Sequence, residues 1–129
     1  MPELYKYDYA IVRIVPRVER EEFINAGVIL SCQTTNFLGS KTELDEKRLK
    51  CFAPFLEIEN IKQYLEIIPK ICAGEKEAGV IGQLPKRARF YWLTAVRSTI
   101  IQISPIHSGL CKNPESQIEN LLKKYVRLP

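Results

Sequence analysis

Val12–Leu30, VRIVPRVEREEFINAGVIL, reads as a strand, a charged loop and a second strand, and the rest of the chain is arranged around it. Residues alternate through Tyr7–Val15, so that Tyr9, Ile11, Arg13 and Val15 fall on one face and Ala10, Val12 and Ile14 on the other. Both faces are largely apolar, which predicts a strand central in its sheet and covered on both sides. Arg13 is the exception. An arginine in such a strand needs a carboxylate, carbonyls or an anionic ligand, because an unpaired buried charge is strongly destabilising. An ion pair with a glutamate of the loop is the bland expectation. Pro16 ends the strand, having no N–H for the ladder. The loop Arg17–Asn25 has room for one helical turn and carries Arg17, Glu19, Arg20, Glu21, Glu22 and Phe23. Asn25 and Gly27 suit the bend back into the sheet. Ala26–Cys32 then returns antiparallel, as a short connection permits.

A second stretch, Arg97–Leu110 (RSTIIQISPIHSGL), holds the only histidine, His107. Thr99, Ile101 and Ile103 read as the core face of a strand. Ser98, Ile100, Gln102 and Ser104 form a face polar enough to border a cleft. These two segments are expected to meet and to form whatever site the protein has.

Between them, Gln33–Ser40 reads as a polar turn region. Thr42 opens a helix with Asp45 in its first turn, which runs to Phe52, buries Leu44, Leu49 and Phe52, and closes at Pro54. Ile58, Ile61, Leu65, Ile68 and Cys72 recur at spacings of three and four, the stripe of a second helix. Pro69 predicts a kink or break near Glu66, and Gly74 a C-cap. Glu75–Gly82 is loop with a short edge strand around Val80. The aromatic run in RARFYWL predicts a strand from Arg87. Asn113 and Pro114 start the last helix, whose stripe is Ile118, Leu121, Leu122, Tyr125 and Val126. Strand pairs separated by helices predict an α+β fold: one domain, residues 1–129, with a mainly antiparallel sheet of about four strands and three helices packed on it. The absence of GxGxxG and Walker loops argues against Rossmann and P-loop enzymes.

Composition narrows the function classes. At 129 residues the chain can bury its own core without a disulfide or metal. A net charge of +4 is compatible with an anionic partner but does not demand one. The N-terminus MPELYKYDYA lacks the apolar region of a signal peptide, and no apolar run is long enough for a membrane span. Cytoplasmic residence follows as the expectation. Cys32, Cys51, Cys72 and Cys111 are too dispersed for a disulfide scaffold or a zinc site, and one histidine cannot complete a Cys2His2 set. Neither a metal nor a cofactor is expected.

The candidate ligand-binding set is Arg13, Arg17, Glu21, Asn25, Arg97, Ser98, Gln102, Ser104 and His107. Arg13, Arg17 and Arg97, with the Ser98 and Thr99 hydroxyls and His107, would make a phosphate or oxyanion cradle, since guanidinium groups grip such ions through a planar fork. A structural Arg–Glu network is the competing account. Any histidine-based acid–base step must use His107. Ser104 or Ser108 would be the nucleophile, yet no GxSxG elbow is present. Cys111 lies four residues from His107, but Pro105 and Gly109 argue against the helix that would join them. For nucleic acid the local candidate is Lys86–Trp92 (KRARFYW), with aromatics that read better as core.

IVRIVPRVEREEFINAGVIL and RFYWLTAVRSTIIQISPIHSGLC resemble the two signature segments of a small bacterial family catalogued only as a domain of unknown function. The matching residues are Arg13, Pro16, Arg17, Glu21, Phe23, Asn25 and Gly27, then Arg97, Ser98, Gln102, Ser104, Pro105, His107, Gly109 and Leu110. The resemblance covers nearly the whole chain. It implies a bacterial cytoplasmic protein and an accessory or regulatory role beside kinases resembling the HipA toxin family, with no catalytic assignment. Two functions follow as expectations. One is a non-catalytic binding or regulatory domain for a protein partner or phosphorylated ligand. The other is a small phosphoesterase- or nuclease-like enzyme using His107 as acid or base and arginines for charge stabilisation.

Overall fold

β1 (Tyr5–Ile14) is the central strand of the sheet. In the computed structural model, which describes residues 3–95, 97 and 99–129, it pairs on one side with β2 (Ile24–Cys32). On its other side lie β4 (Ile101–Ile103) and β5 (His107–Cys111), end to end along the same edge. β3 (Phe37–Thr42) completes the order β3-β2-β1-β4, and every pairing is antiparallel. The two signature segments are therefore neighbours in one sheet.

Helices cover both faces. Tyr7, Tyr9 and Ile11 of β1 join Val28 and Leu30 against Ile118, Leu121 and Leu122 of α5 (Pro114–Tyr125). Val12 and Ile14 point the other way. They pack with Leu49 of α1 (Glu46–Phe52), with Ile61, Leu65 and Ile68 of α2 (Ile58–Ala73), and with Phe90 and Leu93 of α4 (Lys86–Thr94). A strand apolar on both sides has this one home, the middle layer of three.

The α+β class stands, with five strands and five helices among the described residues, α3 (Gly79–Gly82) being a single turn. Several boundaries move. RARFYWL is helix α4, not a strand: Phe90 and Leu93 are buried while Tyr91 and Trp92 face outward. Arg89 explains the choice. Its buried guanidinium donates to the carbonyls of Leu84, Ile71 and Cys72, tying α4 to the C-terminal end of α2. Gly74, at φ +71°, caps α2 beside that guanidinium, in a conformation that glycine adopts without strain. Half of the expected polar turn is β3, whose Leu38 fills the core, and Val80 lies in α3 instead of an edge strand. Thr42 closes β3, and Asp45 is the N-cap of α1, accepting from the Arg48 N–H. Leu49 is buried as expected, but Phe52 is exposed. Pro69 sits inside a helix that runs unbroken from Ile58 to Ala73, so the expected break near Glu66 does not occur. Asn113 caps α5 with Pro114 behind it, as the sequence predicts. No helix among the described residues is long and apolar enough to cross a membrane.

Candidate binding site

The β1–β2 register brings Arg13 opposite Asn25, and the β1–β4 register brings Arg13 opposite Gln102. Three of the sequence-derived residues thus form one row across the sheet. A bulge between Val12 and Arg13 shifts the pairing there, so Ala26 has no direct partner on β1. Arg13 and Asn25 turn towards the layer of α5. Asn25 donates from Nδ2 to the carbonyl of Tyr125, 2.9 Å away, at the end of that helix. Its Oδ1 is buried without a partner, and so is Arg13 Nε. An unpaired donor and an unpaired acceptor therefore sit in the same cross-strand row.

Arg13 does not form the expected ion pair with a loop glutamate. Its guanidinium lies over the ring of Phe23, 4.1 Å from the centroid, and it joins no carboxylate among the described residues. Arg17 does the same on the other flank of the loop, 4.9 Å above the ring of Phe55. Cation–π contact of this kind holds a guanidinium in place without using up its N–H groups as hydrogen-bond donors. Phe23 and Phe55 are 43% and 56% exposed, large values for phenylalanine. Pro16, Arg17, Arg20, Glu22, Phe52 and Phe55 line a surface depression of about 430 Å³ between the loop and the α1–α2 turn. Arg20 is neutralised within it by Glu22. The loop itself is held by a 3-10 turn at Val18–Arg20. Glu21 closes that turn at φ 57° and is exposed.

The remaining residues do not join this row. Arg97 lies on the α4 side of the sheet, stacked on Trp92 at 4.4 Å. Its guanidinium donates to the carbonyls of Trp92 and Leu93 in the last turn of α4, so it completes that helix end instead of the cradle. Ser98 lies outside the described residues. Thr99 donates its hydroxyl to the Ile101 carbonyl. Ser104 is buried and committed: its Oγ accepts from the Ile11 N–H at 2.8 Å and donates to the Pro105 carbonyl. That hydroxyl stands in for a ladder carbonyl where Pro105 interrupts the edge between β4 and β5.

His107 is exposed and opposite Tyr9, on the same face as Arg13 but about 13 Å along the strand, four residues at the usual rise. Its ring packs 5.5 Å from that of Tyr9, whose hydroxyl meets that of Tyr125 at 3.2 Å. Burial, reinforced by Tyr125, pushes the Tyr9 phenol up to about 12. Ser108, one residue on, points to the opposite face, where its hydroxyl reaches Asp8 Oδ1 at 2.6 Å. Gly109 leaves room for the Tyr7 ring lying across it, since a Cβ there would fall 2.7 Å from the Tyr7 hydroxyl.

Sequence reasoning missed the polar cluster on the α4 face. Arg87 bridges Asp8 Oδ2 at 2.6 Å and Ser31 Oγ at 3.0 Å, with Tyr91 beside it. Burial raises the Asp8 carboxyl, but Ser108 and Arg87 more than offset this and hold it below its ordinary value. The signal was a lone aspartate in an apolar strand. Its partner was hidden because RARFYWL read as a strand. Among the described residues no group of three or more His, Cys, Asp or Glu side chains could hold a metal ion.

An antiparallel-sheet α+β domain with helices on both faces is the class that these features define. A family model described as "Protein of unknown function (DUF3037)" matches residues 9–126, and the chain belongs to that family. No curated protein and no solved structure matches it.

Proposed function

We propose that this protein is a non-catalytic binding domain that grips acidic groups of a protein partner through Arg17 in the β1–β2 loop and Arg13 at the end of β1. One contrast carries the reading. Arg20, Arg87 and Arg127 pair with carboxylates, and Arg48, Arg89 and Arg97 donate to main-chain carbonyls. Arg13 and Arg17 alone have no hydrogen-bonding acceptor among the described residues, and each is braced on a phenylalanine. Arginine and aromatic side chains at a surface are the composition of protein-binding hot spots. A kinase resembling HipA is the partner class that the sequence resemblance implies.

The enzyme reading has less support. Ser104 is committed in the sheet, and Ser108 and His107 sit on opposite faces. Burial pushes the Cys111 thiol up, away from nucleophilic thiolate. The His107 ring meets Tyr9, where a general base would be oriented by an acceptor.

The test is affinity capture from source cells, analysed together for protein, nucleotide and nucleic acid, with an Arg17→Ala/Phe55→Ala variant beside it. A specific protein retained by the natural chain and lost by the folded variant is the expected result. Retention of the same protein by both would overturn the assignment to the loop.

A further inference from the structure

On the α4 side of the sheet, far from the loop arginines in character, an apolar cleft of about 510 Å³ runs beneath β4. Tyr64 and Ile67 of α2, Trp92 of α4, and Ile101 and Ile103 of β4 line it, and Arg97 is its one charged lining residue among the described residues. Ile67 and Trp92 are each 40% exposed. β4 ends the sheet, pairing only with β1 among the described residues.

The main chain of that edge has a definite polarity. The Ile100 carbonyl accepts from the Val15 N–H at 2.6 Å, and the Ser104 N–H donates to the Ile11 carbonyl at 2.9 Å. Even-numbered residues therefore bond to β1, and alternation turns the N–H and C=O groups of Ile101 and Ile103 outward. Thr99 Oγ1 takes up the Ile101 carbonyl. The Ile101 N–H and both main-chain groups of Ile103 face the open edge. β4 carries none of the charges or prolines with which edges are blunted.

We propose that this edge and cleft receive an extended peptide from a protein partner. The peptide adds a strand to β4 and sets apolar side chains at alternate positions into the cleft. The outward main chain selects a strand over other occupants: a helix or an apolar small molecule would fill the cleft yet leave the Ile101 and Ile103 groups unpaired. Its remaining side chains fall on the Gln102 face and would be polar. An acidic residue would suit the rim at Arg97.

Trp92 is the only tryptophan in the chain, so its emission reports the cleft alone. The probes are capped heptapeptides with Val, Ile, Leu or Phe at the second, fourth and sixth positions, Thr between them and Glu at one end. Titrated into the full chain, some members should shift Trp92 emission to the blue, saturably. N-methylating the amides that face β4 should weaken those members by roughly tenfold or more. Ile67→Asp, at an exposed position, should abolish the shift while leaving the thermal melt unchanged. Three results would overturn the proposal. One is the absence of any emission shift, from any member, even at millimolar concentration. N-methylated peptides could bind equally well, which would leave the cleft a plain apolar pocket. Sedimentation could also reveal a dimer that Ile67→Asp breaks, giving the face to a second copy of the chain.

Discussion

Ser104 shows how a residue that reads as a nucleophile can be a piece of the sheet. Its hydroxyl is the acceptor for the Ile11 N–H in the middle of the central strand. Ser104→Ala should leave that N–H buried and unsatisfied, which costs about 1–3 kcal/mol, measurable as a lower denaturation midpoint. A second prediction concerns the arginines that the sequence grouped together. Arg13 and Arg97 share no partner and face opposite sides of the sheet. Their alanine substitutions should therefore add in a double-mutant cycle to within about 0.5 kcal/mol. Coupling well above that would restore a shared site. Asp8 supplies a pH dependence. Its carboxyl titrates below the ordinary 3.8 in the folded chain, so its pairing stabilises the fold above that value. The contribution is lost as pH falls through the depressed folded value. Asp8→Asn should flatten the acid limb of the stability curve below about pH 4 and lower stability at neutral pH by about 1–2 kcal/mol, between the exposed and buried limits for ion pairs. An unchanged acid limb would place the acid sensitivity elsewhere.

At the scale of elements, the sequence was legible wherever periodicity and capping agreed. The α2 stripe and its Gly74 cap, the Asn113–Pro114 start of α5 and the two-sided β1 were all readable for that reason. α4 was not. Phe90, Tyr91 and Trp92 have intrinsic strand preference, but only Phe90 is core, and the contact that selects helix is the reach of Arg89 to α2. No local pattern encodes a bond across that separation. β3 was hidden for a related reason: the sequence around Gly39 looks like a turn until β2 supplies the ladder. Phe90→Ala should cost about 3–5 kcal/mol, because the side chain is fully buried between α2 and the sheet. A loss below 1 kcal/mol, a limit well short of that range, would mean that α4 packs loosely.

Across the whole molecule, the meeting of the two signature segments was an expectation drawn from the unusual polar residues that two strands and their loops hold, and the β1–β4 and β1–β5 pairings establish it. What they build together was not legible in the sequence. Pairing β1 with β4 and β5 divides the candidates between two faces. Arg13, Asn25, Gln102 and His107 lie on the α5 side, and Arg97 on the α4 side. Alternation in β1 suggested such a division, but the rotation of Arg97 onto Trp92 depends on α4 being a helix. The molecule consequently offers two separate surfaces, a guanidinium loop and an apolar cleft.

The central claim is that Arg17 and its phenylalanine brace serve binding and not folding. Urea denaturation of the Arg17→Ala/Phe55→Ala variant beside the natural chain, read with partner capture, tests it directly. Both side chains are exposed, so stability should change by no more than about 0.5 kcal/mol while capture is lost. A stability loss above about 2 kcal/mol accompanying the loss of capture would contradict the claim and make the pair a structural clamp.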